Sequence, residues 1–266
     1  MYADHPEPPP LERELLSVAR EGARAAAGEL LPRFGHHQAE IRSKSSPTDL
    51  VSEADVAAET AIRAVLAARR PQDAILGEEG GATGDGELRW VIDPLDGTTN
   101  FLFGFPQFAV SVACEDSAGG LIGVVLDPVR DECFSATRSS AATLNGAEIA
   151  CSRRPDLGTA LVATGFSYDA DERARQAEVL RRVLPHVRDV RRAGAAALDL
   201  VWAACGRVDA FYERGVKTWD VAAGSVIAQR AGMTVRPLTA RELEPTGIVA
   251  APPALADQLL ALVLGG

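Results

Sequence analysis

The chain has no C-x-x-C pair, no block of basic residues and no repeat of fixed period. It also has no apolar run of the roughly 18 residues needed to span a bilayer. Its four cysteines, Cys114, Cys133, Cys151 and Cys205, are scattered in or beside apolar segments, so they read as buried free thiols and exclude a zinc site. Histidine is scarce: His5, His36, His37 and His186. The adjacent pair follows an expected helix end and lacks the further ligands zinc requires, so histidine-dependent chemistry is disfavoured. The balance of 27 basic against 37 acidic residues, a formal charge of -10, argues against nucleic acid as a main ligand. An anionic substrate would need metal ions to approach such a protein. The opening M-Y-A-D-H-P-E-P-P-P has neither a basic n-region nor an apolar h-region, which gives the expectation of a cytoplasmic protein without a membrane partner.

What is present is ample core: 266 residues, 47% of them hydrophobic, enough for one large or two modest domains. Residues 1–10 read as a mobile, Pro-rich tail. Apolar spacing at Leu11, Leu15, Val18 and Ala25 predicts an amphipathic helix to about Leu31. A second helix is expected from Ser52, as cap, to Arg70. Short apolar strands then recur at 74–76, 88–92, 108–114, 121–126 and 133–137, with Gly119-Gly120 as a hairpin turn. After about residue 150 the rhythm alternates: strands at 160–164, 187–190, 208–212 and 248–250 interleave with helices at 171–184, 195–204, 221–231 and 253–263. The expected division is an N-terminal α+β subdomain over 11–150 and a C-terminal α/β subdomain over 151–266.

The most informative segment is W-V-I-D-P-L-D-G-T-T-N-F, residues 90–101. Trp90, Val91 and Ile92 read as the end of a buried strand. Pro94 disfavours the α region for Asp93, so the chain is expected to leave the strand sharply there. Asp93 and Asp96 then face one point. Gly97 permits a conformation closed to other residues, and a helix starting after it offers free N–H groups to the same point. Two acids beside an anion cradle make sense if divalent cations lie between them and a phosphate.

Three other places supply acids. G-E-E-G, residues 77–80, puts Glu78 and Glu79 at a strand end between glycines. This is a poor place for carboxylates unless a cation neutralises them, although alone it also reads as a solvated turn. T-W-D-V-A-A-G, 218–224, puts Asp220 at a helix start, where alone it reads as a plain N-cap. D-L-V-S-E-A-D, 49–55, alone reads as a capping box.

Taken together, these segments resemble the signature of the inositol monophosphatase family, from about Lys44 to Gly232. The matching stretches are S-K-S-S-P-T-D-L-V-S-E-A-D, L-G-E-E-G, W-V-I-D-P-L-D-G-T-T-N-F, G-A-A-A-L-D-L and W-D-V-A-A-G. The resemblance implies an α/β (α+β) fold, a layered α-β-α-β-α sandwich of the inositol monophosphatase or sugar phosphatase type. It implies a Mg²⁺-dependent, lithium-sensitive phosphomonoesterase with two to three ions per site, acting on a small phosphorylated polyol and assembled as a homodimer.

Carried over residue by residue, the resemblance makes Glu78, Asp93 and the Leu95 carbonyl ligands of one Mg²⁺, and Asp93, Asp96 and Asp220 ligands of a second. A weaker third ion would lie near Glu78, with Glu79 close by. Gly97 and Thr98 would meet the phosphate, and Asp55 would orient Thr98 toward the attacking water. Lys44 would support the catalytic loop, or be a neutral surface lysine. Asp96, Gly97, Thr98, Gly194, Ala195, Ala196, Glu213 and Asp220 would contact substrate. Ser52 stands where the family often has threonine, and Ala195 where a hydroxylated residue is common. Myo-inositol 1-phosphate is the expected ester, with fructose 1,6-bisphosphate, histidinol phosphate or a 3′-phosphonucleotide as alternatives and a non-catalytic role beside the transcription machinery as another. A haloacid-dehalogenase-like mechanism fits less well, because two residues, not one, separate Asp93 from Asp96.

Overall fold

The computed structural model describes residues 7–35, 41–43, 50–240 and 246–265, with the backbone alone at 41–43 and 50–52. Its α-helices are α1 (Pro10–Leu30), α2 (Glu53–Arg69), α3 (Thr98–Leu102), α4 (Ala170–Val183), α5 (Ala196–Ala204), α6 (Thr218–Arg230) and α7 (Pro253–Leu264). Strands β1 (Ile41–Ser43) and β2 (Leu50–Ser52) pair with each other. An eight-stranded sheet is built from β3 (Ala74–Gly77), β4 (Gly81–Thr83), β5 (Arg89–Asp96), β6 (Ala109–Asp116), β7 (Gly119–Asp127), β8 (Glu132–Thr137), β9 (Thr143–Leu144) and β10 (Ala147–Glu148). Its order is β10-β9-β8-β7-β6-β5-β3-β4, with only β3 and β5 parallel. A five-stranded sheet follows: β11 (Leu161–Thr164), β12 (Asp189–Arg191), β13 (Ala210–Arg214), β14 (Thr234–Leu238) and β15 (Gly247–Ala251). Its order is β12-β11-β13-β15-β14, parallel among the first three and antiparallel beyond.

The period-2 alternation of the strands sorts their side chains into three cores. Trp90 and Ile92 of β5 pack with Leu15, Val18 and Ile62 of α1 and α2. Val91, between them, points through the sheet to Leu198, Val201, Ala223 and Ile227 of α5 and α6. On the second sheet Phe211 and Ala250 join that same middle core. Their neighbours Ala210, Tyr212 and Val249 turn away to Val179 of α4 and Leu255 and Leu259 of α7. The result is five layers, α-β-α-β-α, with α5 and α6 sandwiched between the sheets.

Helix ends fall within a residue or two of the expected positions, apart from α6, which begins earlier. The strand does not end at Ile92. Instead β5 continues to Asp96, and the bend expected at Pro94 is a bulge within it. Pairing with β6 passes from Asp93↔Ser111 to Asp96↔Ala109, three steps on one strand against two on the other. Pro94 has no N–H to leave unpaired in that extra residue. The hairpin turn lies at Ser117-Ala118, one pair before the expected Gly119-Gly120, because Asp116 pairs with Gly119 and its Oδ1 accepts from Ala118 N at 2.8 Å. Ser52 is the last residue of β2 and α2 begins at Glu53. Strands β1, β2, β4, β9, β10 and β14 had no expectation: the first five are two or three residues long, too short to show alternation, and edge strand β14 contains Pro237. All four cysteines are free, with Cys114 buried and the other three only partly so. No described helix is long and apolar enough to cross a membrane.

Helix α6 reaches its place by close backbone approach. A Cβ on Gly123 of β7 would lie 2.9 Å from the Cα of Ala223 and collide with that residue's carbonyl. Because backbone cannot yield as a flexible side chain does, Gly123→Ala is expected to destabilise the fold by about 1–3 kcal/mol through overpacking. Urea unfolding of the variant beside the parent checks this, and an unchanged midpoint would contradict the packing described.

Candidate active site

Five chain segments converge on one cavity of about 570 Å³. The β5 bulge and the start of α3 bring Asp93, Leu95, Asp96, Gly97 and Thr98. The β3–β4 turn brings Glu78, and the second sheet with its connections brings Gly165, Arg192, Gly194, Ala196, Glu213 and Asp220. Asp93 and Asp96 are 1% and 8% exposed, so both are carboxylates largely removed from water. Glu79 and Ala195 do not line the cavity. Ala195 is buried as the N-cap of α5, and Lys44 lies outside the described residues.

Each aspartate is held by backbone N–H groups close to it in space. Asp93 Oδ1 accepts from Leu95 N at 3.0 Å, across the bulge. Asp96 Oδ1 and Oδ2 accept from Ala196 N at 3.1 Å and Ala197 N at 2.7 Å. The first turn of α5 is therefore capped by Asp96, from a residue one hundred positions away, so the N–H groups of Ala196 and Ala197 are already engaged. Asp220 is not an N-cap. Helix α6 starts three residues earlier, with Lys217 as its cap, and Asp220 Oδ2 accepts from Lys217 N at 2.7 Å. Ser111 of β6 donates to the Trp219 carbonyl at 3.2 Å, tying that turn to the first sheet.

Gly97 has φ 93°, a left-handed conformation, and a Cβ there would stand 2.9 Å from the Gln107 carbonyl oxygen. It is the N-cap of α3, as the sequence predicts. Thr98 Oγ1 lies 2.9 Å from Asp55 Oδ1 and 3.1 Å from the Leu95 carbonyl oxygen, and its single proton serves one of them at a time. Asp55 is fully buried in the first turn of α2. Beneath this turn, Phe101 packs edge-on against Phe108 with ring centroids 5.1 Å apart. Asn100 Nδ2 is within 2.7, 2.9 and 3.2 Å of the carbonyls of Gln107, Ala193 and Gly194, stitching α3 to the segment before α5.

The electrostatics are those of acids crowded without enough water. Burial first, then the charges of Glu78, Asp96 and Asp220, hold the Asp93 carboxyl well above its ordinary range, and Asp93 stands within hydrogen-bonding reach of the Glu78 carboxyl. Burial pushes Asp96 up to about 7 against the opposing pull of the Ala197 and Ala196 N–H groups. Burial and the charge of Asp96 push Asp220 up to about 8. Glu213 is raised by burial and by Asp199, Asp220 and Asp96. Two such carboxyls in contact need either a shared proton or a cation between them.

Hard oxygen donors of this kind suit Mg²⁺-class ions, so the residues fit a divalent cation. Among the described residues, no three His, Cys, Asp or Glu side chains stand close enough to enclose an ion as they are. The arrangement is an open acid-lined cavity.

Several residues here had no expectation. Arg175, Arg192, Arg214 and Lys217 also line the cavity. Asp199 of α5 is 1% exposed, and its Oδ2 has no hydrogen-bond partner among the described residues. Asn100 and Asp199 lie inside W-V-I-D-P-L-D-G-T-T-N-F and G-A-A-A-L-D-L, so those motifs were the available signal. Lone arginines and lysines elsewhere carry none.

Layered sheets and helices around an acid-lined cavity define a class of phosphatase-like folds. The sequence profile described as the inositol monophosphatase family matches residues 11–264, and the chain belongs to that family. It is 42% identical over 272 residues to the inositol-1-monophosphatase SuhB of Mycobacterium tuberculosis, covering 96% of this chain and 93% of that protein. It is 44% identical over 233 residues to the Nus factor SuhB of Pseudomonas aeruginosa, covering 85% and 86%. The crystal structure of the extragenic suppressor protein suhB from Bartonella henselae superposes with a TM-score of 0.87 at 35% identity, covering 95% of this chain and 99% of that one. The chain thus belongs to a phosphatase family that is generally metal-dependent.

The raised carboxyls have a consequence for stability without metal. A carboxyl whose folded pKa lies above its unfolded one makes the fold most stable when protonated. That contribution is full below the unfolded value of 3.8 and is lost as pH rises to about 7 for Asp96 and about 8 for Asp220. Urea unfolding in EDTA between pH 5 and 8 is therefore expected to show stability falling with pH more steeply in the parent than in Asp96→Asn or Asp220→Asn. Parallel slopes would show that these carboxyls are not strained.

Proposed function

We propose that this chain hydrolyses a small phosphate monoester, myo-inositol 1-phosphate foremost, with Mg²⁺ held by Glu78, Asp93, the Leu95 carbonyl, Asp96 and Asp220. The observation that carries this reading is the gathering of Glu78, Asp93, Asp96 and Asp220 around one cavity, with Asp93 and Glu78 in carboxyl–carboxyl contact. When bound, the ions supply positive charge that offsets this repulsion, draws in the phosphate and makes a water more acidic.

The chain's own groups do the rest. The backbone at Gly97 and Thr98, opening α3, faces the phosphate with N–H groups. Thr98 donates to Asp55, which leaves an oxygen lone pair to accept from the attacking water; as the water's proton passes to Thr98 Oγ1, the proton Thr98 held passes to the Asp55 carboxylate. Attack is in line and direct, without a phosphoenzyme. The cations Arg192 and Lys217 and the acids Glu213 and Asp220 line the part of the cavity where the alcohol would lie. Hydroxyl groups of a polyol match such mixed polar surroundings. Assembly as a homodimer and inhibition by Li⁺ rest on family membership.

The name of the P. aeruginosa relative, a Nus factor, supports a second reading, in which the chain is a non-catalytic partner of the transcription machinery.

Phosphate release by the purified protein distinguishes these readings. Mg²⁺-dependent turnover of inositol 1-phosphate, preferred over fructose 1,6-bisphosphate, histidinol phosphate and adenosine 3′,5′-bisphosphate and inhibited by Li⁺, is expected. Silence on all four esters favours the binding partner. Asp96→Asn is expected to fold and to lose several orders of magnitude in turnover, read in the same assay. Mg²⁺ at a hundredfold excess over its dissociation constant is expected to stabilise the fold by about 2.7 kcal/mol, read by urea unfolding with and without the ion.

A further inference from the structure

Glu59 lies in the middle of α2, is 3% exposed and takes no part in the site described above. A buried glutamate in a helix facing a sheet is costly unless its oxygens are matched by donors. Here they are. Oε2 accepts from the backbone N–H of Glu79 at 2.8 Å, and Oε1 accepts from the N–H of Gly80 at 2.8 Å. Arg63, one turn on, donates through Nε to Oε1 at 2.7 Å. The same guanidinium reaches the Gly81 carbonyl at 2.8 Å and Thr83 Oγ1 at 3.1 Å. One ion pair therefore grips both sides of the turn that joins β3 to β4, and that turn carries Glu78.

The glycines of G-E-E-G fit the same purpose. A Cβ on Gly77 would stand 2.5 Å from Glu59 Oε1 and 2.8 Å from Arg63 Nη2, and one on Gly80 would stand 2.6 Å and 2.9 Å from the same atoms. Neither residue has a positive φ, so the requirement for glycine is the room taken by the carboxylate and not the backbone conformation. β4 is the edge strand of the sheet and offers the turn support from β3 alone.

We propose that Glu59 is a positioning residue: by holding the N–H groups of Glu79 and Gly80, with Arg63 as its counter-ion, it aims the Glu78 carboxylate into the cavity. It touches neither substrate nor ion and acts through the turn. The proposal rests on the reading of the cavity as a divalent-cation site. Groups that orient a ligand from outside the coordination shell typically change metal affinity or activity by about 10–100-fold when removed.

Mn²⁺ binding by electron paramagnetic resonance, the Mg²⁺ dependence of phosphate release and thermal melting without metal are measured on the parent, Glu59→Ala, Glu59→Gln and Gly80→Ala. Glu59→Ala is expected to weaken Mn²⁺ binding, and to raise the Mg²⁺ concentration for half-maximal turnover, by about 10–100-fold. At saturating Mg²⁺ the KM for the ester is expected to stay near the parent's. Glu59→Gln keeps one acceptor and is expected to fall between Ala and parent. Gly80→Ala displaces the carboxylate from the other side while keeping its charge, so a loss of Mn²⁺ affinity there supports the proposal even if Glu59→Ala does not fold. Variants that melt earlier but bind Mn²⁺ as the parent does overturn it. A parent that binds no Mn²⁺ overturns the cation reading of the cavity itself, an outcome told apart because it appears before any substitution.

Discussion

Repulsion among carboxylates is the constraint on which this structure turns. Glu78, Asp93, Asp96, Glu213 and Asp220 line one cavity, and Asp93 and Asp96 are almost fully removed from water. Left alone, such groups would push apart or draw in water. They stay because each aspartate is held by the backbone: Asp93 by Leu95, Asp96 by Ala196 and Ala197, and Asp220 by Lys217. N–H groups at turns and helix starts are fixed in direction and carry partial positive charge, so they orient the acids without neutralising them fully. The remaining imbalance is what raises their proton affinity and what a cation would relieve.

Holding the acids this way shapes the fold around them. The bulge in β5 places Asp93 and Asp96 three positions apart, while the partner strand advances only two. Gly97 must then take a left-handed turn against the Gln107 carbonyl for α3 to begin. Asp96 caps α5 across the molecule, so the middle helical layer is pinned to the first sheet by a residue that lines the cavity as well as by its apolar face. Site and architecture therefore share interactions, and disturbance of one reaches the other.

Stability comes from elsewhere. Three apolar cores alternate with the two sheets, and each is filled from strands whose successive residues point to opposite faces. Their burial is what allows a cavity of unfavourable charge to persist, as expected when local rules are broken at a functional site and satisfied around it. Aromatic packing of Phe101 on Phe108 brings the first core directly under the turn that opens α3.

Helix positions, most strands and the D-P-L-D-G-T turn were legible in the sequence because they depend on period, proline and glycine, all local properties. The convergence of G-E-E-G, D-P-L-D-G-T and W-D was legible only through family resemblance, since nothing in spacing brings residues 78, 96 and 220 together. Other features depended on partners distant along the chain. That Ala196 and Ala197 give their N–H groups to Asp96, that Asp220 sits inside a helix that begins at Thr218, and that Arg192 faces Glu213 all follow from packing of the two sheets. The sequence by itself determined which elements form and which residues carry charge, because backbone preference and hydrophobic period act over a few residues. The tertiary structure alone decided which charges meet and which N–H groups remain for a ligand, because those are settled by distances between segments a hundred residues apart.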